Sequence, residues 1–327
     1  MKAIILFFSN SGTTQSMAVT YQKHLEAAGH NVTLHDGFAI LKEFLARKET
    51  NHTYHWTQYQ NDLREAEIVG IGSYVSHFTV AEGVADVLSE EGSPTAHFAS
   101  MKYYFSFTSC GGFPGTAGTY LASYLHSKNS NAKYLGTNTI TAPDNCVPLQ
   151  AIKGTYDAMR DSELKKVDDF GKSLVSSIET GTFPPMHKID NSTKFEAGHK
   201  PTTRFGAIKL NPDVCIGCYK CVTICPYNAL SKPGKDAETK IPVWTESSCV
   251  GCGRCFNHCP VRAIEFPKVK SEKVEQVLYG TPKKSLKQAH PATMIEMIGR
   301  AMLPRGHNYV LYILALILLI FILVKLF

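Results

Sequence analysis

The chain has 327 residues, 44% of them apolar and 19% charged, so it can bury one full-sized core and still hold a second, smaller domain, which excludes global disorder. The net charge of +6 is unevenly placed: residues 1–150 carry 9 Lys/Arg against 12 Asp/Glu, a net of −3, which leaves +9 for the remainder. Nucleic acid is therefore not expected as a partner of the first half. Eight of the ten cysteines fall between Cys215 and Cys259 in a regular pattern, whereas a disulfide scaffold scatters them through a short secreted chain, so reduced, cofactor-bound thiolates are expected. Met1-Lys2 runs straight into a strand-like segment with no cleavage site. The chain is expected to start inside the cell.

Residues 1–178 alternate short apolar runs with amphipathic stretches, the mark of parallel strands joined by helices. Strands are predicted at 2–8, 31–35, 67–72, 102–108 and 133–140, with helices at 13–28, within 37–48, and at 79–90, 115–127 and 150–178. The expected fold is α/β, a doubly wound five-stranded parallel sheet of order 2-1-3-4-5. Residues 179–206 turn to Gly, Pro, Ser, Thr and Lys around Phe183-Pro184-Pro185 and read as a linker, which if flexible would span roughly 30 Å root-mean-square. Residues 207–267 form a cysteine-rich module, predicted to be a small α+β domain. Residues 268–308 are basic, and 309–327 are an apolar tail.

The module contains an internal repeat offset by 34 residues. Cys215-Ile-Gly-Cys218-Tyr-Lys-Cys221-Val-Thr-Ile-Cys225-Pro recurs as Cys249-Val-Gly-Cys252-Gly-Arg-Cys255-Phe-Asn-His-Cys259-Pro. Three thiolates two residues apart wrap one face of an iron–sulfur cubane, while the fourth, carried onward by the turn and Pro, points to the other cluster. One [4Fe-4S] cluster would take Cys215, Cys218, Cys221 and Cys259, and the other Cys249, Cys252, Cys255 and Cys225. Zinc sites need only four ligands, usually as two separated pairs, and fit this spacing poorly. Gly217 and Gly251 would let backbone N–H groups approach the sulfides, while Ile216, Val222, Ile224, Val250 and Phe256 would keep water away.

In the first half, Ser9-Asn10-Ser11-Gly12-Thr13-Thr14 follows the first strand and opens a helix. Hydroxyls and backbone N–H groups at a helix N-terminus suit a phosphate monoester, and no Lys follows Gly12 as a nucleotide P-loop requires. Two further loops should reach the same crevice. Ser73, Tyr74 and Val75, followed by His77-Phe78, come after the third strand; Thr108, Ser109, Cys110, Gly111 and Gly112 come after the fourth. Aromatic residues beside small ones suit a flat ring held between them. Cys110 is read as a small packing residue close to that ring and Cys146 as a core thiol.

Residues 207–267 resemble a two-cluster [4Fe-4S] bacterial-type ferredoxin, matching it at all eight ligand positions. The first half resembles flavodoxin, and the order of the two resembles a family of flavodoxin and ferredoxin fusions. The resemblance covers about residues 1–267 and implies FMN on the Ser9–Thr14 loop, two [4Fe-4S] clusters, and electron transfer to or from a redox partner protein. A flavin-dependent reductase of small oxidants such as nitro compounds or quinones, and a redox sensor, are the alternatives. No G-x-G-x-x-G for a nicotinamide dinucleotide is present.

Residues 310–324 are apolar without interruption, and with the three residues that follow they would span about 27 Å as a helix, against a hydrocarbon core near 30 Å. Tyr309 and Tyr312 suit the near interface and Lys325 the far one. Arg300, Arg305 and the lysines at 268, 270, 273, 283, 284 and 287 precede the segment, so a single-pass membrane anchor is expected, with the redox domains on the cytoplasmic face.

Overall fold

The computed structural model describes residues 1–50, 57–76, 79–81, 84, 88, 98–111, 115–142, 161–186, 208–235, 237–249 and 251–265. Chain order in the first half is β1 (Lys2–Phe8), α1 (Thr13–Ala27), β2 (Asn31–Asp36), α2 (Gly37–Thr50), α3 (Thr57–Glu65), β3 (Ile68–Ser76), β4 (Thr79–Val80), β5 (Tyr103–Cys110), α4 (Ala117–Lys128), β6 (Lys133–Thr141) and α5 (Asp161–Thr180). The long strands lie in the order β2-β1-β3-β5-β6, all parallel. This is the flavodoxin-like order, with its switch point between β1 and β3.

The sheet is central because β1 is apolar on both faces. Ala3, Ile5 and Phe7 pack with Met17, Tyr21 and Leu25 of α1 and Val167 and Leu174 of α5. Ile4, Leu6 and Phe8 face the other way, onto Phe38 and Leu41 of α2, Leu63 of α3 and Leu121 and Leu125 of α4. Strands buried on both faces carry continuous apolar runs. Truncating Ile4 or Ile5, both fully buried, to Ala would cost about 2–5 kcal/mol.

Several boundaries differ from the sequence expectation. The predicted third strand extends to Ser76 and the predicted fourth, β5, to Cys110, so Ser73, Tyr74, Val75, Ser109 and Cys110 lie in strands, where loops were expected, and Thr108 lies within β5 rather than at its end. The predicted helix at 79–90 opens instead with β4, which pairs antiparallel with β3 and adds a sixth strand to the expected five. Most of the rest of that segment, and residues 150–160 of the last predicted helix, lie outside the described residues. Helix α3 was not anticipated.

The cysteine module repeats in space as it does in sequence. It comprises β7 (Lys209–Leu210), α6 (Lys220–Ile224), β8 (Leu230–Ser231), β9 (Val243–Trp244), a 3-10 turn (Glu246–Ser248), α7 (Arg254–Asn257) and β10 (Ile264–Glu265). Positive backbone φ recurs at the same offset: Gly217 and Gly251, Tyr219 and Gly253, Asn228 and Arg262. Pairing crosses between halves, Leu210 opposite Ile264 and Leu230 opposite Trp244. Each half's opening strand is therefore completed by the other half's closing strand, and Ile208, Cys221, Leu230 and Ile264 form one shared core.

Candidate functional site

The crossing of strands also crosses the cysteines. One cavity is lined by Cys215, Cys218, Cys221 and Cys259 together with Leu210, Ile216, Tyr219 and Pro242. A second is lined by Cys225, Cys249, Cys252 and Cys255 with Leu230, Trp244 and Gly251. Burial pushes the Cys221 thiol above its ordinary pKa, and Cys259, Cys218 and Cys215 add to the shift. Burial likewise raises the Cys255 thiol, and Cys252, Cys225, Cys249 and Cys221 add to the shift. In each group the fourth cysteine comes from the other half of the repeat.

Each cavity presents four sulfur donors in apolar walls, the donor set of a cubane. Among the described residues no three His, Cys, Asp or Glu side chains converge on a point suited to a single metal ion. The sulfurs also meet donors. Ala263 N–H donates to Cys259 Sγ at 3.2 Å, and Trp244, a lining residue of the second cavity, has a buried Nε1 with no hydrogen-bond partner among the described residues. Left-handed φ of 65° at Gly217 and the Lys240 Cβ only 2.9 Å from where a Cβ on Gly217 would lie make glycine necessary at that turn.

The Ser9–Thr14 loop leaves the carboxyl end of β1 at the switch point. Gly12 takes φ 97° and α1 begins with no side-chain cap and no acidic residue in its first turn, so the first N–H groups of a 15-residue helix remain available to an anion. Ser9 Oγ accepts the Gly12 N–H at 3.1 Å, and the Ser11 and Thr13 hydroxyls lie 3.3 Å apart at the exposed mouth. Thr14 is different: it is 1% exposed and its hydroxyl bonds Ser109 Oγ at 2.9 Å, tying the loop to the edge of β5. Register aligns Phe8 with Ser73 and Tyr74 with Ser109, so all three segments end along one edge of the sheet.

The hydroxyls of Ser73 and Thr108 are committed elsewhere. Ser73 accepts from Ala81 N–H and donates to the Tyr74 carbonyl, while Thr108 pairs with Thr139 at 2.8 Å. Cys110 is buried against the Ile140 carbonyl, consistent with packing. Tyr74 and Val75 are half-buried, and the Tyr74 ring lies 6.1 Å from that of Phe38. Gly111 follows the end of β5, whereas Gly112, His77 and Phe78 lie outside the described residues.

Sequence reasoning missed the seam between the halves. Asn10 Nδ2 donates to the Cys252 carbonyl at 3.0 Å, and Asn257 Nδ2 to the Asn10 carbonyl at 3.4 Å. Arg254 makes a two-pronged pair with Asp36, donates to the Ser9 carbonyl at 3.3 Å and lies 5.2 Å over the Phe38 ring. Lys42 of α2 caps the end of α6 through the Val222 and Thr223 carbonyls at 2.8 and 2.6 Å. Burial lowers the Lys42 ammonium pKa, and Cys225 is close enough to oppose that shift. The phosphate-loop candidate and the second cysteine group therefore touch. One signal was readable: Asp36 ends β2 at the carboxyl edge, where α/β sheets place their ligands.

Residues 214–263 match the family of 4Fe-4S dicluster domains. Among solved structures, a flavodoxin from the domain Archaea is 17% identical with a TM-score of 0.36, over 55% of this chain and 99% of that one. The two-electron reduced flavodoxin of Megasphaera elsdenii is 15% identical with a TM-score of 0.35, over 53% and 98%. The rubredoxin oxygen:oxidoreductase of Desulfovibrio gigas is 14% identical with a TM-score of 0.37, over 55% of this chain and 37% of that one. No curated protein matches the chain. The chain thus joins a flavodoxin-like sheet, defined by its own strand order, to an iron–sulfur dicluster domain. Its chemistry is redox.

Proposed function

We propose that this protein is a membrane-tethered electron carrier that relays electrons between an FMN, two [4Fe-4S] clusters and a redox partner. FMN, when bound, converts between two-electron and one-electron transfers, and clusters pass single electrons. The chain's own residues supply the rest. The first turn of α1 with Ser11 and Thr13 would hold the phosphate, Tyr74 would border the ring, and Cys215, Cys218, Cys221 and Cys259, with Cys225, Cys249, Cys252 and Cys255, would ligate the clusters. The observation that carries the reading is the Asn10–Cys252 hydrogen bond, which joins the candidate phosphate-binding loop directly to a candidate cluster-binding loop. An isolated flavoenzyme has no use for that seam.

Anaerobically reconstituted protein should hold about eight iron, about eight sulfide and one FMN. Stoichiometric zinc without iron would overturn the cluster assignment. The anchor rests on the apolar residues 310–324, which lie outside the described residues; among the described ones no helix is long and apolar enough to cross a membrane. Deleting 306–327 should release the protein from membranes with both cofactor types retained, whereas continued sedimentation would place the tether elsewhere.

A further inference from the structure

The two cysteine groups are related by the repeat but not by their surroundings. The group of Cys225, Cys249, Cys252 and Cys255 is held against the flavodoxin-like half from two sides. Asn10 bonds the Cys252 carbonyl, and Lys42 reaches the Val222 and Thr223 carbonyls of the short helix that leads from Cys221 to Cys225. Arg254, next to Cys255 in sequence, is fixed to Asp36 and Ser9. The group of Cys215, Cys218, Cys221 and Cys259 has a different outlook. Cys218 is exposed, and Val214 and Ile216, on either side of Cys215, are 40% and 61% exposed. An apolar side chain that open beside a redox ligand is what a contact surface needs and what a water-shielded internal relay avoids.

We propose that the two groups hold unequal stations: Cys225, Cys249, Cys252 and Cys255 form the flavin-side terminal, and Cys215, Cys218, Cys221 and Cys259 form the outward terminal, reached by a one-electron carrier protein. The inference rests on the cluster and FMN assignments above and adds an order to them. At the outward terminal each encounter moves one electron, the carrier changing by one as this protein changes by one in the opposite sense, with no bond made or broken. The rim of Val214 and Ile216 then belongs to exchange with the carrier, and the Asn10, Asp36 and Arg254 contacts to exchange inside the molecule.

Electron paramagnetic resonance of the reduced, cluster-loaded full chain tests the order without turnover. Cys218→Ser and Cys249→Ser assign the two signals. Adding FMN to flavin-free protein should shift the signal lost in Cys249→Ser and leave the one lost in Cys218→Ser in place; a shift of the Cys218 signal, or equal shifts of both, overturns the order. Soluble dysprosium–EDTA should speed relaxation of the Cys218 signal more than the other, and the reverse ranking is equally damaging. Should the serine variants fail to fold, Val214→Glu, on the exposed rim but outside the cavity lining, gives an independent reading. It should slow electron exchange with a bacterial two-cluster ferredoxin while iron content and the FMN-induced shift stay as in the parent, and unchanged exchange refutes the outward terminal. Fewer than two signals, or no FMN bound, would instead refute the cofactor assignment on which the order stands.

Discussion

Replacing Arg254 by Ala should loosen the seam between the two halves without emptying either cysteine group. The guanidinium is 13% exposed and its partner Asp36 29%, so the pair is neither a solvated surface bridge nor a sealed one. Surface pairs are worth about 0–1 kcal/mol and breaking a fully buried one costs about 3–5. Asp36 keeps one partner, the Phe38 N–H at 3.0 Å, and can take up water, which moves the loss below the buried limit. The Ser9 carbonyl bond and the contact over Phe38 go as well. A cost of about 2–3 kcal/mol to docking follows, some thirtyfold or more in the docked-to-undocked ratio. Hydrogen exchange on the cluster-loaded protein is the assay: amides of residues 9–14 and 252–257 should lose protection together while β5 keeps its own. Arg254→Lys should recover only part, since an ammonium cannot span both Asp36 oxygens. Unchanged protection in Arg254→Ala would show that the seam is held by something other than this pair.

The crossed cavities predict that Cys225→Ser alters the same spectroscopic signal as Cys249→Ser, and Cys259→Ser the same signal as Cys215→Ser; pairing within each sequence motif would refute the crossing. Ser11→Ala and Thr13→Ala should each weaken FMN, by about 1.5–3 kcal/mol per lost charged hydrogen bond, and barely affect riboflavin, as read by flavin fluorescence titration. Thr14→Val should instead disturb the bond to Ser109 and weaken both flavins alike. Trp244→Phe removes the buried indole N–H of a residue that lines the second cavity, and where that N–H serves a cluster its loss should lower the potential of the Cys249 signal alone. Burial depresses the pKa of His35, with Asp62 opposing and Lys2 assisting. The buried neutral ring therefore contributes stability in full above about pH 6.5, the ordinary imidazole value, and loses it as pH falls through the depressed folded pKa. Urea midpoints between about pH 7 and 5 should fall less steeply in His35→Gln.

How much of this was legible in the sequence depended on whether the signal was local. The sheet was readable because β1 is apolar on both faces, and a continuous run of Ile, Leu and Phe is itself the record of double burial. The cysteine repeat was readable because eight ligand positions recur at one offset. Strand ends were less so: Ser73 and Ser109 look like loop residues by composition, yet each finds a hydroxyl or amide partner within the sheet or beside it, which lets a polar residue stay buried in a strand. Thr14 misled in the same way, since a threonine facing an anion and one bonded to Ser109 are identical in sequence.

The seam lay beyond any local pattern. Arg254 occupies the repeat position of Lys220, and nothing in the repeat distinguishes the two. What separates them is the partner: Asp36 is 218 residues earlier in the chain, at the end of β2. A pair so distant in sequence carries no periodicity and no spacing, so its meaning appears only after the sheet order has placed β2 beside β1 and the Ser9–Thr14 loop. The asymmetry of the module follows from this. Its two halves supply near-identical ligand spacings, and the flavodoxin-like half grips Arg254 and the Cys252 carbonyl beside one cysteine group, while Cys218 of the other is exposed.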